Sequence, residues 1–139
     1  MPLGHLGINV PDLPAAKGYY DVVMPMLGYV PFLRADDQFA YRPAEATPGT
    51  FVFFYLSQAA GDYSRSRTGV QHLAFIVDTR GAVEAVHETV TGLGSEVVSA
   101  PAEFPEYHPG YFATFWLDPF GLMLEAVCHR DPAVSIAPI

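Results

Sequence analysis

The sequence predicts an α+β fold of two βαβββ modules, and three observations support it. The chain repeats itself at an offset of 67 residues, each copy runs strand, helix, strand, strand, strand, and Pro/Gly-rich or charged stretches separate the copies and their parts. The repeat aligns GHLGINVPDLPAAKGYYDVVMPMLGYV, from Gly4, with QHLAFIVDTRGAVEAVHETVTGLGSEV, from Gln71. His5 falls on His72, Leu6 on Leu73, Val10 on Val77 and Gly28 on Gly94, so the offset is 67 at the start and 66 by the end.

Each copy opens with an alternating segment suited to a strand, His5 to Val10 and His72 to Val77. A helix follows in each. In the first copy Asp12 caps it, Pro14 sits in its first turn, Ala15 to Leu27 carries Ala, Tyr and Met at helical spacing, and Pro25 predicts a distorted last turn. In the second, Thr79 caps a cleaner helix from Arg80 to about Gly92, with Gly92 and Gly94 as its stop. Three strands complete the first module: Tyr29 to Arg34, Phe39 to Arg42 and Phe51 to Ser57. Three complete the second: Glu96 to Ala100, Tyr111 to Leu117 and Leu122 to Cys128. Module one thus spans about 3–58 and module two about 70–129 of a single domain, 1–139.

Composition fits this plan and narrows function. The chain has 139 residues, half of them hydrophobic, which is enough for a core without cross-links, and its one cysteine, Cys128, forms no internal disulfide. No apolar run reaches the roughly 18 residues of a membrane span, and the first residues lack the pattern of a secretory signal, so the expected location is cytoplasmic. A net charge of −8 and seven scattered basic residues exclude a phosphate-tracking surface; the expected partner is a small molecule, with no nucleic acid and no membrane. The nine residues after Arg130 read as a loosely held end.

Chemistry concentrates at three positions. His5 and His72 open equivalent strands, and Glu125 lies in LMLEAV, where alternation places a carboxylate on one face with Met123 and Val127. A carboxylate among apolar neighbours needs a partner, and a cation is a natural one. Two neutral imidazoles and a carboxylate form a metal-ligand set with open coordination positions, suited to Fe(II), Mn(II) or Zn(II) acting on an oxygen-bearing substrate. The segment EYHPGYF adds Tyr107, His108 and Tyr111 just before a core strand; His108 is the candidate acid/base and the tyrosines the candidate hydrogen-bond donors. His87 reads as a surface residue, His129 as the frayed end of a strand, and Cys128 as pointing away from the Glu125 face.

On these residues the chain resembles the vicinal oxygen chelate superfamily, which includes glyoxalase I, extradiol ring-cleaving dioxygenases, fosfomycin-resistance enzymes and bleomycin-binding proteins. The resemblance runs from about Leu3 to His129. It is carried by His5 in GHLGINV, His72 in QHLAFIV, and DPFGLMLEAV, which looks like the family's Asp-Pro-x-Gly turn leading to the last ligand, Glu125. It implies a divalent metal (Fe, Mn, Zn or Ni) on His5, His72 and Glu125, a substrate that chelates it through adjacent oxygens, and a homodimer, the modules of one site coming from one chain or from two. The sequence departs from glyoxalase I, whose fourth ligand, a Glu or Gln, stands in the last strand of module one. Here that strand reads FVFFYLSQ: Phe53 and Phe54 cannot ligate, Tyr55 could in principle, and Gln58 lies towards its end. A dioxygenase-like, lyase or isomerase reaction is therefore expected ahead of glyoxalase I. A metal-free binding protein of the bleomycin-sequestering kind, and a non-catalytic interaction module, are the readings from other classes.

Overall fold

Asp12 and Thr79, 67 residues apart, start their helices in the same way. Oδ1 of Asp12 accepts from the Ala15 N–H and Oγ1 of Thr79 from the Ala82 N–H, each at 3.0 Å, satisfying a donor that the first turn leaves without a partner. The computed structural model describes residues 3–45 and 48–135. It divides the chain into two compact units, 1–62 and 63–139.

The first unit runs β1 (His5–Val10), α1 (Leu13–Met26), β2 (Tyr29–Arg34), β3 (Gln38–Pro43) and β4 (Phe51–Leu56). Its sheet has the order β1-β4-β3-β2, with β1 parallel to β4 and the other pairs antiparallel. Tyr19, Tyr20, Val23 and Met24 form the buried stripe of α1, and Tyr20 meets the Phe54 ring at 4.3 Å between centroids. That places Val52 and Phe54 of β4 in the core and turns Phe51, Phe53 and Tyr55 to the opposite, half-exposed face. The helix begins at Leu13, two residues earlier than its apolar pattern suggests, because the Asp12 cap fixes the start and Pro14 is tolerated in a first turn. Pro25 stays inside it. The end tightens there, with the Leu27 N–H bonded to the Met24 carbonyl and Gly28 at φ 87° reversing the chain.

The second unit repeats the plan: β5 (His72–Ile76), α2 (Arg80–Gly92), β6 (Val97–Glu103), β7 (Phe112–Leu117) and β8 (Met123–Cys128), ordered β5-β8-β7-β6. Val83, Val86 and Val90 are the buried stripe of α2, and each contributes on the order of 1.5–3 kcal/mol by leaving water. Gly94, at φ 83°, is the stop glycine. β6 runs to Glu103 and so passes through Pro101, where the sequence suggests that a loop begins. As an edge strand it tolerates a residue without an N–H, and its register against β7 slips between Ser99 and Ala102. Asp118 sets the turn into β8: its Oδ1 accepts from the N–H groups of Phe120 and Leu122 at 2.8 and 2.9 Å. Asp131, in the segment expected to be loosely held, is buried and accepts from the Arg80 and Ala133 N–H groups, anchoring the chain to the start of α2; residues 136–139 lie outside the described part.

Candidate metal and acid/base site

The register of β5, β8 and β7 gathers the site of the second unit. His72 pairs with Met123 and Ala74 with Glu125, while Phe115 of β7 lies opposite Glu125, so these residues share one face of the sheet. Leu124, Ala126 and Cys128 point to the other face. Glu125 is 1% exposed, a carboxylate in the interior, which costs several kcal/mol unless its oxygens are satisfied. The Tyr111 hydroxyl satisfies one by donating to Oε2; the other, Oε1, faces Nε2 of His72 at 3.2 Å.

The other nitrogen of His72 decides what that second contact can be. Nδ1 donates to Oε1 of Gln71, so in the neutral ring Nε2 carries a lone pair. Two lone-pair atoms facing each other at 3.2 Å repel unless a cation lies between them, either a proton on Nε2 or a metal ion. A side-chain oxygen holding the far nitrogen is also the usual outer partner of a ligating histidine. These two donors therefore fit a divalent metal. Gln71, missed as a functional residue in the sequence, stands immediately before the histidine it orients.

His5 stands at the start of β1 in the first unit, exposed, with its ring 5.3 Å from that of Phe53 in an edge contact. Among the described residues no group of three or more His, Cys, Asp or Glu side chains able to hold a metal is gathered in one place. His72 and Glu125 are the part of the expected set that one unit assembles. The repeat also identifies the counterpart of Glu125 in module one. Gly7 pairs with Phe53 as Ala74 pairs with Glu125, each two residues beyond the histidine of its module, so the equivalent position is Phe53. Tyr55 shares its face, and Gln58 lies beyond the strand and is exposed.

The aromatic loop is closed on itself: the Phe104 N–H bonds to the Tyr111 carbonyl at 2.8 Å, the Tyr111 N–H to the His108 carbonyl at 3.2 Å, and Gly110 at φ 85° makes the return. This closure delivers Tyr111 to Glu125. Burial, then the hydrogen bond and charge of Glu125, raise the Tyr111 phenol well above the usual tyrosine value, so it remains a donor at neutral pH. His108 sits edge-on to the Tyr111 ring at 5.3 Å, and Tyr107 is 63% exposed with its ring 4.9 Å from Tyr111. His129, expected at a frayed strand end, instead lies with Nδ1 3.0 Å from Nε2 of His108. His87 is half-buried, with Nδ1 shielded and without a partner among the described residues.

The model of the Glyoxalase/Bleomycin resistance protein/Dioxygenase superfamily matches residues 3–126. The chain belongs to that superfamily. A curated relative, the uncharacterized protein YqjT of Bacillus subtilis (strain 168), is 24% identical over 133 residues, covering 88% of this chain and 95% of its own. A solved structure from Bacillus halodurans superposes with a TM-score of 0.75 at 24% identity, over 91% of this chain and 94% of the other. Lactoylglutathione lyase from Agrobacterium tumefaciens superposes with a TM-score of 0.62 at 18% identity, over 90% and 91%. At these identities the structural likeness establishes the two-module α+β fold, which a superfamily of several chemistries shares. Among the described residues no helix is long and apolar enough to cross a membrane.

Proposed function

We propose that this protein is a metal-dependent enzyme acting on a small molecule that offers two adjacent oxygens, with His72, Glu125 and His5 as the metal ligands. The observation that carries the reading is the 3.2 Å approach of Nε2 of His72 to Oε1 of the buried Glu125 while Nδ1 is already engaged. His5 enters through the repeat, as the counterpart of His72, supplied by the same chain or by a second copy in a homodimer. A divalent metal bound there would act as a Lewis acid, stabilising an enolate- or catecholate-like anion.

The chain's own groups then have distinct tasks. Gln71 holds His72 in the ligating tautomer. Tyr111, kept protonated, holds Glu125 through one oxygen and leaves the other to face His72. His108 belongs to the acid/base group beside it, and the exposed Tyr107 is the candidate hydrogen-bond donor to a substrate oxygen. The reaction favoured is dioxygenase-like, or a lyase or isomerase step, ahead of glyoxalase I, because Phe53 occupies the place of a fourth ligand.

A second reading, a metal-free binding protein, is favoured by the aromatic face of Phe32, Phe51, Phe53 and Tyr55. Metal analysis of protein purified without an affinity tag separates the two. About one divalent metal per chain, lost in Glu125→Ala, supports the enzyme; a parent without metal that still binds aromatic ligands supports the binder.

A further inference from the structure

Beside the Glu125 site lies a pair of imidazoles whose hydrogens can be placed from one backbone atom. Nδ1 of His108 is 2.9 Å from the carbonyl oxygen of Pro109. A carbonyl oxygen only accepts, so Nδ1 carries the hydrogen, and Nε2 of the neutral ring carries a lone pair. The atom facing that lone pair is Nδ1 of His129, at 3.0 Å, and it must be the donor. Nε2 of His129 is then the lone-pair nitrogen of the pair, with no partner among the described residues. The rings lie 5.3 Å apart at 27°, and each meets the Tyr111 ring edge-on, at 5.3 Å for His108 and 5.2 Å for His129, so both are wedged against the side chain that holds Glu125.

We propose that His129, rather than His108, presents the basic nitrogen of this site, and that His108 is a positioning residue fixing its tautomer through the Pro109 carbonyl. A base must have a lone pair free towards the proton it takes, and that of His108 is already engaged. The proton taken up forms an N–H bond at Nε2 of His129, the bond that held it breaks, and its electron pair stays with the substrate. The positive charge is shared along the hydrogen bond as the Nδ1 hydrogen of His129 moves towards Nε2 of His108. It goes no further, since the Pro109 oxygen accepts a hydrogen bond and not a proton. This assignment deepens the enzyme reading and its catalytic meaning rests on it, but the tautomers can be read without substrate or metal.

The test is nitrogen NMR on metal-free, ¹⁵N-histidine-labelled protein. The parent should show His129 and His108 both as Nδ1–H tautomers, whatever its metal analysis gives. His108→Leu should release His129 from that tautomer, and His108→Gln, which keeps an accepting oxygen near the position of Nε2, should restore it. Finding His129 as the Nε2–H tautomer in the parent, or unchanged in a folded His108→Leu, would overturn the proposal. A second measurement covers the case in which that variant does not fold: limited diethyl pyrocarbonate treatment of the parent, read by mass spectrometry. Acylation should fall on His129 ahead of His108, and the reverse order would sink the assignment.

Discussion

The phenol of Tyr111 donates its hydrogen bond to Oε2 of Glu125 across 14 residues of sequence. Tyr111 closes the aromatic loop and Glu125 lies in the middle of β8, so the hydroxyl ties a loop to the interior of the sheet. Because burial and the carboxylate raise the phenol, the tie persists through the neutral range. One oxygen of Glu125 is thereby occupied by a neutral donor, and the other faces Nε2 of His72.

Metal content should follow the ligands and their holders in different degrees. His72→Ala and Glu125→Ala are expected to abolish binding, whereas Gln71→Ala, which only frees the far nitrogen of His72, should weaken it by ~10 to 100-fold. Competition against a chromophoric chelator measures this. Equal affinity in Glu125→Ala and the parent would remove Glu125 from the ligand set.

Turnover of a substrate should depend on the loop. His108→Ala, which acts through His129, is expected to remove part of the ~10² to 10⁴ that a positioned base contributes to kcat while metal content stays at the parent level. Tyr111→Phe, which frees Oε2 of Glu125, should lower kcat and also weaken metal binding by ~10 to 100-fold. If both variants turn over normally, the loop serves structure alone.

Glyoxalase I activity on the hemithioacetal of methylglyoxal and glutathione should be absent or very weak, even with Ni(II), Zn(II) or Co(II) supplied. That isomerisation needs a base within about 3 Å of two neighbouring carbons. The position equivalent to Glu125 in module one is Phe53, and no residue of β4 is a carboxylate. A robust rate in a standard assay, with Glu125 still needed for metal, would restore glyoxalase I to first place.

Acid should loosen the second unit through Asp131. Hydrogen bonds from the Arg80 and Ala133 N–H groups hold its carboxyl below the ordinary aspartate range. A depressed folded value means that the stabilisation is complete above the unfolded pKa of about 4 and disappears as pH falls through the folded one. Asp131→Asn should therefore lower the urea midpoint at pH 7 and narrow its gap to the parent at pH 2–3, by fluorescence of Trp116. A gap that widens in acid would reverse the sign and refute the linkage.

What the sequence made legible was local. The caps at Asp12 and Thr79, the strand starts at His5 and His72, and the Asp118 turn each depend on a few neighbouring residues, and the repeat doubles each signal. The rest depends on pairing. That Phe53 is the counterpart of Glu125 follows from parallel registers between strands over 40 residues apart. His129 reads as a strand end because its partner is 21 residues away and arrives only when the loop closes. Pro101 looks like a terminator, and is not one because β6 is the end strand of its four-stranded sheet.

Cys128 ends β8 fully buried, on the face turned away from Glu125, and burial pushes its thiol up. As the chain's one cysteine it is also a ready-made reporter. A thiol-directed dye has nothing else to label, so the speed of labelling in native buffer times how often the last strand lifts from beneath α2. Slow, single-phase labelling that accelerates with urea would mean that this strand opens with its whole unit, and the reading needs no engineered probe.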